Sequence, residues 1–238
     1  MSRPRLLDLF CGAGGAAMGY HRAGFDVVGV DNRPQPHYPF QFVKADALLF
    51  VEGLGAHWGG WELEEFDAIH ASPPCQAYSS LTGRWARQHL HPDLVAMTRE
   101  LLQATGLPYV IENVEGAPLE NPARLCGSWF GLDLHRHRLF ETNWPLMSTP
   151  CSHHWQRPRF RSLDKRQKGL AAVVGVHGHV NYAGERELRE QAMGIDWMTP
   201  AELVEAIPPA YTELIGHQLM QMLEAQSLRR SPGKGAGD

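Results

Sequence analysis

Long apolar runs are absent from this chain. None approaches the ~20 residues a helix needs to span a bilayer, which excludes a helical membrane protein and leaves no membrane partner to expect. No signal-peptide pattern opens it either. Met-Ser-Arg-Pro-Arg leads straight into an apolar strand pattern, so the expected location is the cytoplasm, in a protein compact enough for a bacterial or phage genome. Cysteine is sparse: Cys11, Cys75, Cys126 and Cys151 are far apart, form no C-x-x-C pair, and read as reduced thiols rather than a disulfide frame. Positive charge is not in excess, with 22 Lys and Arg against 26 Asp and Glu and a formal net charge of −4. A protein that coats nucleic acid with its whole surface is thereby excluded, whereas a local basic face is not. Arg157, Arg159, Arg161, Lys165, Arg166 and Lys168 supply such a cluster with only Asp164 opposing them, either as a nucleic-acid contact or as a solvated loop. Internal repeats and a low-complexity core are also missing.

What is present is an alternation of strand-like and helix-like stretches over 238 residues, enough for one α/β domain with a full core. Strands are expected at Arg5 to Phe10, Phe25 to Val30, Gln41 to Val43, Phe66 to Ala71, Pro108 to Ile111, Arg138 to Thr142 and Ala171 to Val176. Helices are expected at Ala16 to Ala23, Asp93 to Ala104, from the Thr199 cap and Pro200 through Val204, and at Thr212 to Glu224. The alternation predicts an open, doubly wound, mostly parallel sheet, whose ligands bind beyond the C-terminal strand ends. Gly12 to Gly15, Asp31, Asp46, Pro73 to Gln76 and Glu112-Asn113 each follow a predicted strand and would line that rim. Turns account for the Gly and Pro, but not for two acids, a Cys and a Glu.

The Gly-rich turn lacks G-x-G-x-x-G spacing and so makes no clear case for a pyrophosphate. It allows close backbone approach to a ligand, and the acids Asp31 and Asp46 suit a nucleoside-containing one such as S-adenosylmethionine. In Ser-Pro-Pro-Cys75-Gln two prolines stiffen the approach to a thiol among polar neighbours, which suits a positioned nucleophile better than a buried structural cysteine. Glu112 would come within reach of the same small ring, and His135-Arg136-His137-Arg138 adds fixed positive charge.

These blocks, in order, resemble the cytosine-5 DNA methyltransferases: Asp-Leu-Phe-Cys-Gly-Ala-Gly-Gly, Asp31, Ala-Asp46, Ser-Pro-Pro-Cys75-Gln, Glu112-Asn113-Val, Arg136-x-Arg138, the Arg189 to Gly194 block and Pro208 to Gly216. The resemblance runs from Leu6 to about Phe140 and again from Arg189 to Leu219. It implies a class I, Rossmann-like methyltransferase fold and methyl transfer from S-adenosylmethionine to C5 of cytosine in DNA. Phe10, Gly12, Ala13, Gly14, Gly15, Asp31, Asp46 and Pro73 would hold the cofactor. Cys75, Glu112, Arg136 and Arg138 would carry the chemistry. Gln76, Ser79, Arg84, Asn113, Arg157, Arg159 and Arg161 would contact the nucleic acid, with Gln76 to His91 as a loop closing over the site. The implied division is a core over 1–143, a short target-recognition insertion over 144–188, C-terminal helices over 189–228 and a disordered tail over 229–238.

Two blocks depart from the family pattern. Leu134 stands where a glutamine usually opens the Arg-x-Arg block, and Pro209-Ala210 where Gly-Asn is usual. The insertion is also small, so a short or degenerate site is expected, and any restriction partner is left open. Cys126, Cys151, His153 and His154 lack standard zinc-finger spacing, so no metal is expected. The same chemistry on RNA or a free cytidine nucleotide remains open, as does a catalytically silent nucleic-acid-binding module.

Overall fold

The computed structural model describes residues 3–54, 60–74, 93–151, 153, 156–158, 171–174, 176 and 185–230. Seven strands form its sheet: β1 (Arg5–Leu9), β2 (Asp26–Asp31), β3 (Gln41–Lys44), β4 (Ala68–Ala71), β5 (Tyr109–Asn113), β6 (Ala123–Leu125) and β7 (Arg138–Thr142). Their order is β3-β2-β1-β4-β5-β7-β6. β1 to β5 pair in parallel, β7 runs antiparallel to β5, and β6 runs antiparallel to β7. The expected doubly wound, mostly parallel, Rossmann-like sheet is what forms.

Successive strand residues point to opposite faces, and the sequence is apolar at both parities because helices cover both faces. Leu6, Val27, Ala68 and Val110 meet one cluster with Tyr20, Tyr211 and Ile215, contributed by α1 (Gly15–Arg22) and the C-terminal helix. Leu7, Leu9, Val28, Val30, Ile69 and Ile111 meet the other, with Phe50 of α2 (Ala47–Gly53) and Leu102 of α3 (Leu94–Thr105). A third cluster joins Ala13 and Leu134 to Met193 and Leu203, from α4 (Glu185–Met193) and α5 (Pro200–Glu205). Leu134 therefore fills core in place of the family's glutamine.

Several boundaries differ from expectation. β5 runs on through Asn113, so Glu112 and Asn113 lie inside the strand, opposite Phe140 and Leu139 of β7. β6, α2 and α4 were not expected. The final helix, α6 (Pro209–Arg230), is longer than expected and includes Arg229 and Arg230, assigned above to the tail. No glycine or proline interrupts the chain from His217 to Arg230, so nothing stops the helix earlier. Residues 231–238 lie outside the described residues. β8 (Gln156–Pro158) and β9 (Ala171–Val173) form a separate parallel pair, so the expected strand Ala171 to Val176 is shorter and leaves the main sheet. The Thr199–Pro200 start holds, with a full Thr199–Glu202 capping box.

The chain winds outward from β1 through β2 to β3, then returns to place β4 on the other side of β1. Loops leaving β1 and β4 in opposite directions open a crevice at their C-terminal ends, where open α/β sheets bind ligands. Those two loops are the Gly-rich turn and Ser-Pro-Pro-Cys. Among the described residues no helix is long and apolar enough to cross a membrane.

Candidate active site

The turn after β1 is held in a costly conformation. Phe10 has φ 56°, in the left-handed region that non-glycine residues enter at a cost of ~1–2 kcal/mol. Gly12 at φ 49° and Gly14 at φ 85° continue it. Asp31, at the end of β2, fixes the turn: its Oδ2 accepts from Gly12 N–H at 3.1 Å while Oδ1 accepts from Arg33 N–H at 2.9 Å. Trp197 Nε1 donates to the Ala13 carbonyl at 3.0 Å, tying the C-terminal block to the same turn. A methyl group at Gly12 would meet no atom within 4 Å, so this face is open, whereas one at Gly14 would strike Tyr38 and Pro39. Asp46 caps α2 with Oδ1, accepting from the N–H groups of Leu48 and Leu49, and remains exposed. An open glycine face flanked by Phe10, Asp31 and Asp46 fits a nucleoside-bearing cofactor.

Across the crevice, Glu112 is 6% exposed and its Oε1 lies 3.1 Å from Arg138 Nε. Antiparallel pairing of β5 with β7 brings these two side chains together. Burial pushes the Glu112 carboxyl above its usual range, against the opposing pull of Arg138, the Ser72 hydroxyl and Arg136. A chain of buried groups stands behind it. Tyr20 OH lies 2.9 Å from His70 Nδ1, His70 Nε2 lies 3.0 Å from Ser72 Oγ, and Ser72 hydrogen-bonds Glu112. Burial lowers the His70 imidazole to about 3, so it is neutral, with Tyr20 donating to Nδ1 and Nε2–H donating to Ser72. Sequence reasoning gave no role to Tyr20, His70, Ser72 or Trp197. The one available signal was a lone histidine inside the apolar β4 run Ala-Ile-His-Ala.

Asn113, expected at the substrate, is 1% exposed. Its Nδ2 donates to the Pro73 carbonyl at 3.0 Å and its Oδ1 accepts from Val114 N–H at 2.9 Å. It is a positioning residue that pins the turn entering Cys75. Arg136 is similarly inward, 3% exposed, with its guanidinium on the carbonyls of Val176 and Val204 and its own carbonyl accepting from Tyr211 OH at 2.6 Å. It fastens the third cluster to the sheet, and its charge also acts on Glu112. Pro73 is buried, and Pro74 is exposed at the edge of the described chain. Cys75, Gln76, Ser79 and Arg84, with the loop to His91, lie outside the described residues, as do Arg159 and Arg161. Arg157 stands in β8 opposite Ala172. Cys11 is buried, and burial raises its thiol far above the usual range, so it stays protonated.

Asp8 was also overlooked. It is 1% exposed, faces the Tyr38 hydroxyl without a well-formed hydrogen bond, and is pushed well above the carboxylate range by burial and then by Asp31. Cys126, Cys151 and His153, from which no metal was expected, lie together with His137. His154 lies outside the described residues.

Residues 4–123, about half of the chain, match the family described as C-5 cytosine-specific DNA methylase. The chain belongs to that family. It is 30% identical over 132 residues to the Type II methyltransferase M.XorII of Xanthomonas oryzae pv. oryzae, a match covering 49% of this chain and 29% of that protein. It is 28% identical over 128 residues to the Type II methyltransferase M.AgeI of Thalassovita gelatinovora, covering 47% and 28%. The chain thus spans less than a third of the length of either relative. Among solved structures it resembles a candidate DNA modification methyltransferase encoded within an E. coli prophage (TM-score 0.61, 16% identity, 93% of this chain and 99% of that one). It also resembles S. pombe Dnmt2 methyltransferase (TM-score 0.54, 12% identity, 94% and 99%). These two likenesses carry the fold.

Proposed function

We propose that the protein transfers a methyl group from S-adenosylmethionine to C5 of cytosine in DNA, with Cys75 as the attacking nucleophile. The observation that carries this reading is the ion pair of buried Glu112 with half-buried Arg138 at the end of β5, beside a Pro73–Pro74 segment that Asn113 pins and that leads directly into Cys75. C5 of cytosine is a poor nucleophile because the ring is aromatic and electron-poor. Addition of the Cys75 thiolate to C6 breaks the aromaticity and leaves C5 enamine-like. Electron density then moves toward N3 and O2. Glu112, favoured as a neutral acid by burial, donates its proton to N3, and Arg138 faces O2.

S-adenosylmethionine, when bound, supplies the electrophilic methyl group. Phe10 would lie against its adenine, Asp31 would take the ribose hydroxyls, Asp46 the adenine amine, and the Gly12 to Gly15 backbone its methionine part. H5 leaves as a proton to water, the Cys75 thiolate is eliminated from C6, and N3 returns its proton to Glu112. A ring attacked from both faces cannot stay stacked in a duplex, so the target nucleotide is flipped out or single-stranded. Residues 144–188 form the target-recognition region and read a few base pairs. Gln76, Ser79, Arg84, Arg157, Arg159 and Arg161 contact the nucleic acid, and the enzyme acts in the cytoplasm.

The test is methyl transfer from labelled S-adenosylmethionine to mixed-sequence duplex DNA, RNA and free cytidine nucleotides, with digestion to nucleosides. Label in 5-methyldeoxycytidine is expected. Label confined to RNA or nucleotides would overturn the DNA assignment, and none in any substrate would leave a binding module.

A further inference from the structure

Four metal-type ligand atoms that the proposed reaction does not use converge next to the start of β7. Cys126 Sγ lies 3.2 Å from His153 Nε2, and Cys151 Sγ lies 3.5 Å from His137 Nε2. All four ligand atoms fall within 4.8 Å of one another. Around a tetrahedral zinc ion with bonds of ~2.3 Å to sulfur and ~2.0–2.1 Å to nitrogen, neighbouring ligand atoms stand about 3.3–3.8 Å apart. These two separations already sit close to that range. Each sulfur has an imidazole nitrogen as a neighbour, and both cysteines are free thiols.

The surroundings are those of a metal centre. Glu115 Oε2 lies 3.3 Å from His137 Nδ1, which fixes the tautomer that presents the Nε2 lone pair to the cluster. The same carboxylate pairs with Arg124 at 3.3 Å. Ser128 directs its hydroxyl, at 3.3 Å, and its backbone N–H at Cys126 Sγ, orienting that sulfur. The His135 ring stacks on His153 at 3.8 Å and 13°, orienting it. Two sulfurs and two imidazoles with no carboxylate ligand select zinc over magnesium or calcium, and four protein ligands leave no open position for catalysis.

We propose that Cys126, His137, Cys151 and His153 bind one structural zinc ion that fastens the start of the 144–188 segment to the β6–β7 hairpin. Cys126 follows β6, His137 immediately precedes β7, and Cys151 and His153 lie just before β8. The ion closes a loop from the hairpin to the segment and also anchors the strand start that carries Arg138. Standard finger spacing is absent because the hairpin, rather than a local turn, delivers the first two ligands.

The experiment is elemental analysis of the full chain purified under reducing conditions after expression with zinc. About one zinc per chain is expected, falling below about a tenth in Cys151→Ser and His153→Gln, two half-buried ligands, and unchanged in the exposed control His217→Ala. Cobalt(II) substituted into the wild type should give the intense visible bands of a tetrahedral thiolate site. Should the variants fail to fold, the wild type alone decides: titration against a chromogenic chelator should give one tight site, and stripping zinc should lower the melting temperature reversibly. Zinc below about a tenth per chain in reduced, zinc-reconstituted wild type would overturn the proposal. So would equal zinc in folded wild type and variants, or a Cys126–Cys151 disulfide as the native state.

Discussion

Replacing Asn113 with Ala removes the side chain that joins β5 to the turn entering Cys75. Its amide donates to Pro73 O at 3.0 Å, its oxygen accepts from Val114 N–H at 2.9 Å, and at 1% exposure water does not substitute for it. A buried polar group left unsatisfied costs ~1–3 kcal/mol; the Pro73 carbonyl is buried and the Val114 N–H only partly so and costs about 1 kcal/mol, which together imply a loss of about 2–4 kcal/mol. In a domain of this size each kcal/mol moves the melting temperature by ~2–4 °C, which predicts a fall of roughly 5–15 °C. Asn113→Asp keeps the acceptor for Val114 but sets an oxygen against the Pro73 carbonyl, and should be at least as unstable. The approach to Cys75 also loses its anchor, and misplacement of ~1 Å costs about 10²-fold in rate. Binding of S-adenosylmethionine, carried mainly by the Gly12 to Gly15 turn, Asp31 and Asp46, should weaken far less than turnover. Thermal unfolding, single-turnover methyl transfer and cofactor calorimetry on the same preparations check all three. An Asn113→Ala variant that melts within about 1 °C of wild type and turns over at the same rate would refute the reasoning.

His70, held at about 3 against 6.5 unfolded, binds fewer protons folded than unfolded. Its contribution to stability is therefore present above pH 6.5 and lost as pH falls toward 3, by up to ~1.4 kcal/mol per pH unit. NMR of the imidazole should show no titration between about pH 8 and about pH 5, and a midpoint near 6.5 would contradict the Tyr20–His70–Ser72 chain. Asp8 is shifted the other way, raised by burial and Asp31, so the folded chain binds more protons and stability declines as pH rises above 3.8. Asp8→Asn should raise the neutral-pH melting temperature and flatten that decline, and a lower melting temperature would mean the carboxylate has a stabilising partner. Gly12→Ala meets open space and should melt only a few degrees lower through its positive φ while weakening S-adenosylmethionine binding. Gly19→Ala, whose methyl would collide with Thr212 Oγ1 and the Pro209 carbonyl, should destabilise far more, and equal effects on melting would contradict the packing of α1 on α6.

The parallel strands were legible because each is an apolar run ended by a turn residue, and burial on both faces makes such runs continuous. β6 was not, since Ala-Arg-Leu is too short to show a period and one of its three side chains is exposed. Its loss hid the β6–β7 hairpin, and with it the meeting of His137 with Cys126. Glu112 and Arg138 were legible as chemistry from residue type and order, but their pairing depends on antiparallel register, which no local pattern carries. Asn113 and Arg136 read in the sequence as a nucleic-acid contact and a catalytic residue. Both are buried and bond backbone carbonyls, a use of polar side chains that composition does not distinguish from ligand contact. Asp31 accepts from the N–H groups of Gly12 and Arg33, and Asp46 from those of Leu48 and Leu49, so their strand-end positions have a structural reason alongside any cofactor contact.

The central claim is that Cys75 adds to C6 of cytosine, and covalent trapping tests it most directly. In duplex DNA containing 5-fluorocytosine, fluorine at C5 cannot leave as a proton does, so the Cys75–C6 bond cannot be resolved after methylation. The account predicts a denaturation-stable protein–DNA adduct that requires S-adenosylmethionine, maps to the peptide containing Cys75 and disappears in Cys75→Ala. Absence of an adduct on DNA whose unfluorinated counterpart is methylated, or an adduct that survives Cys75→Ala, would contradict it.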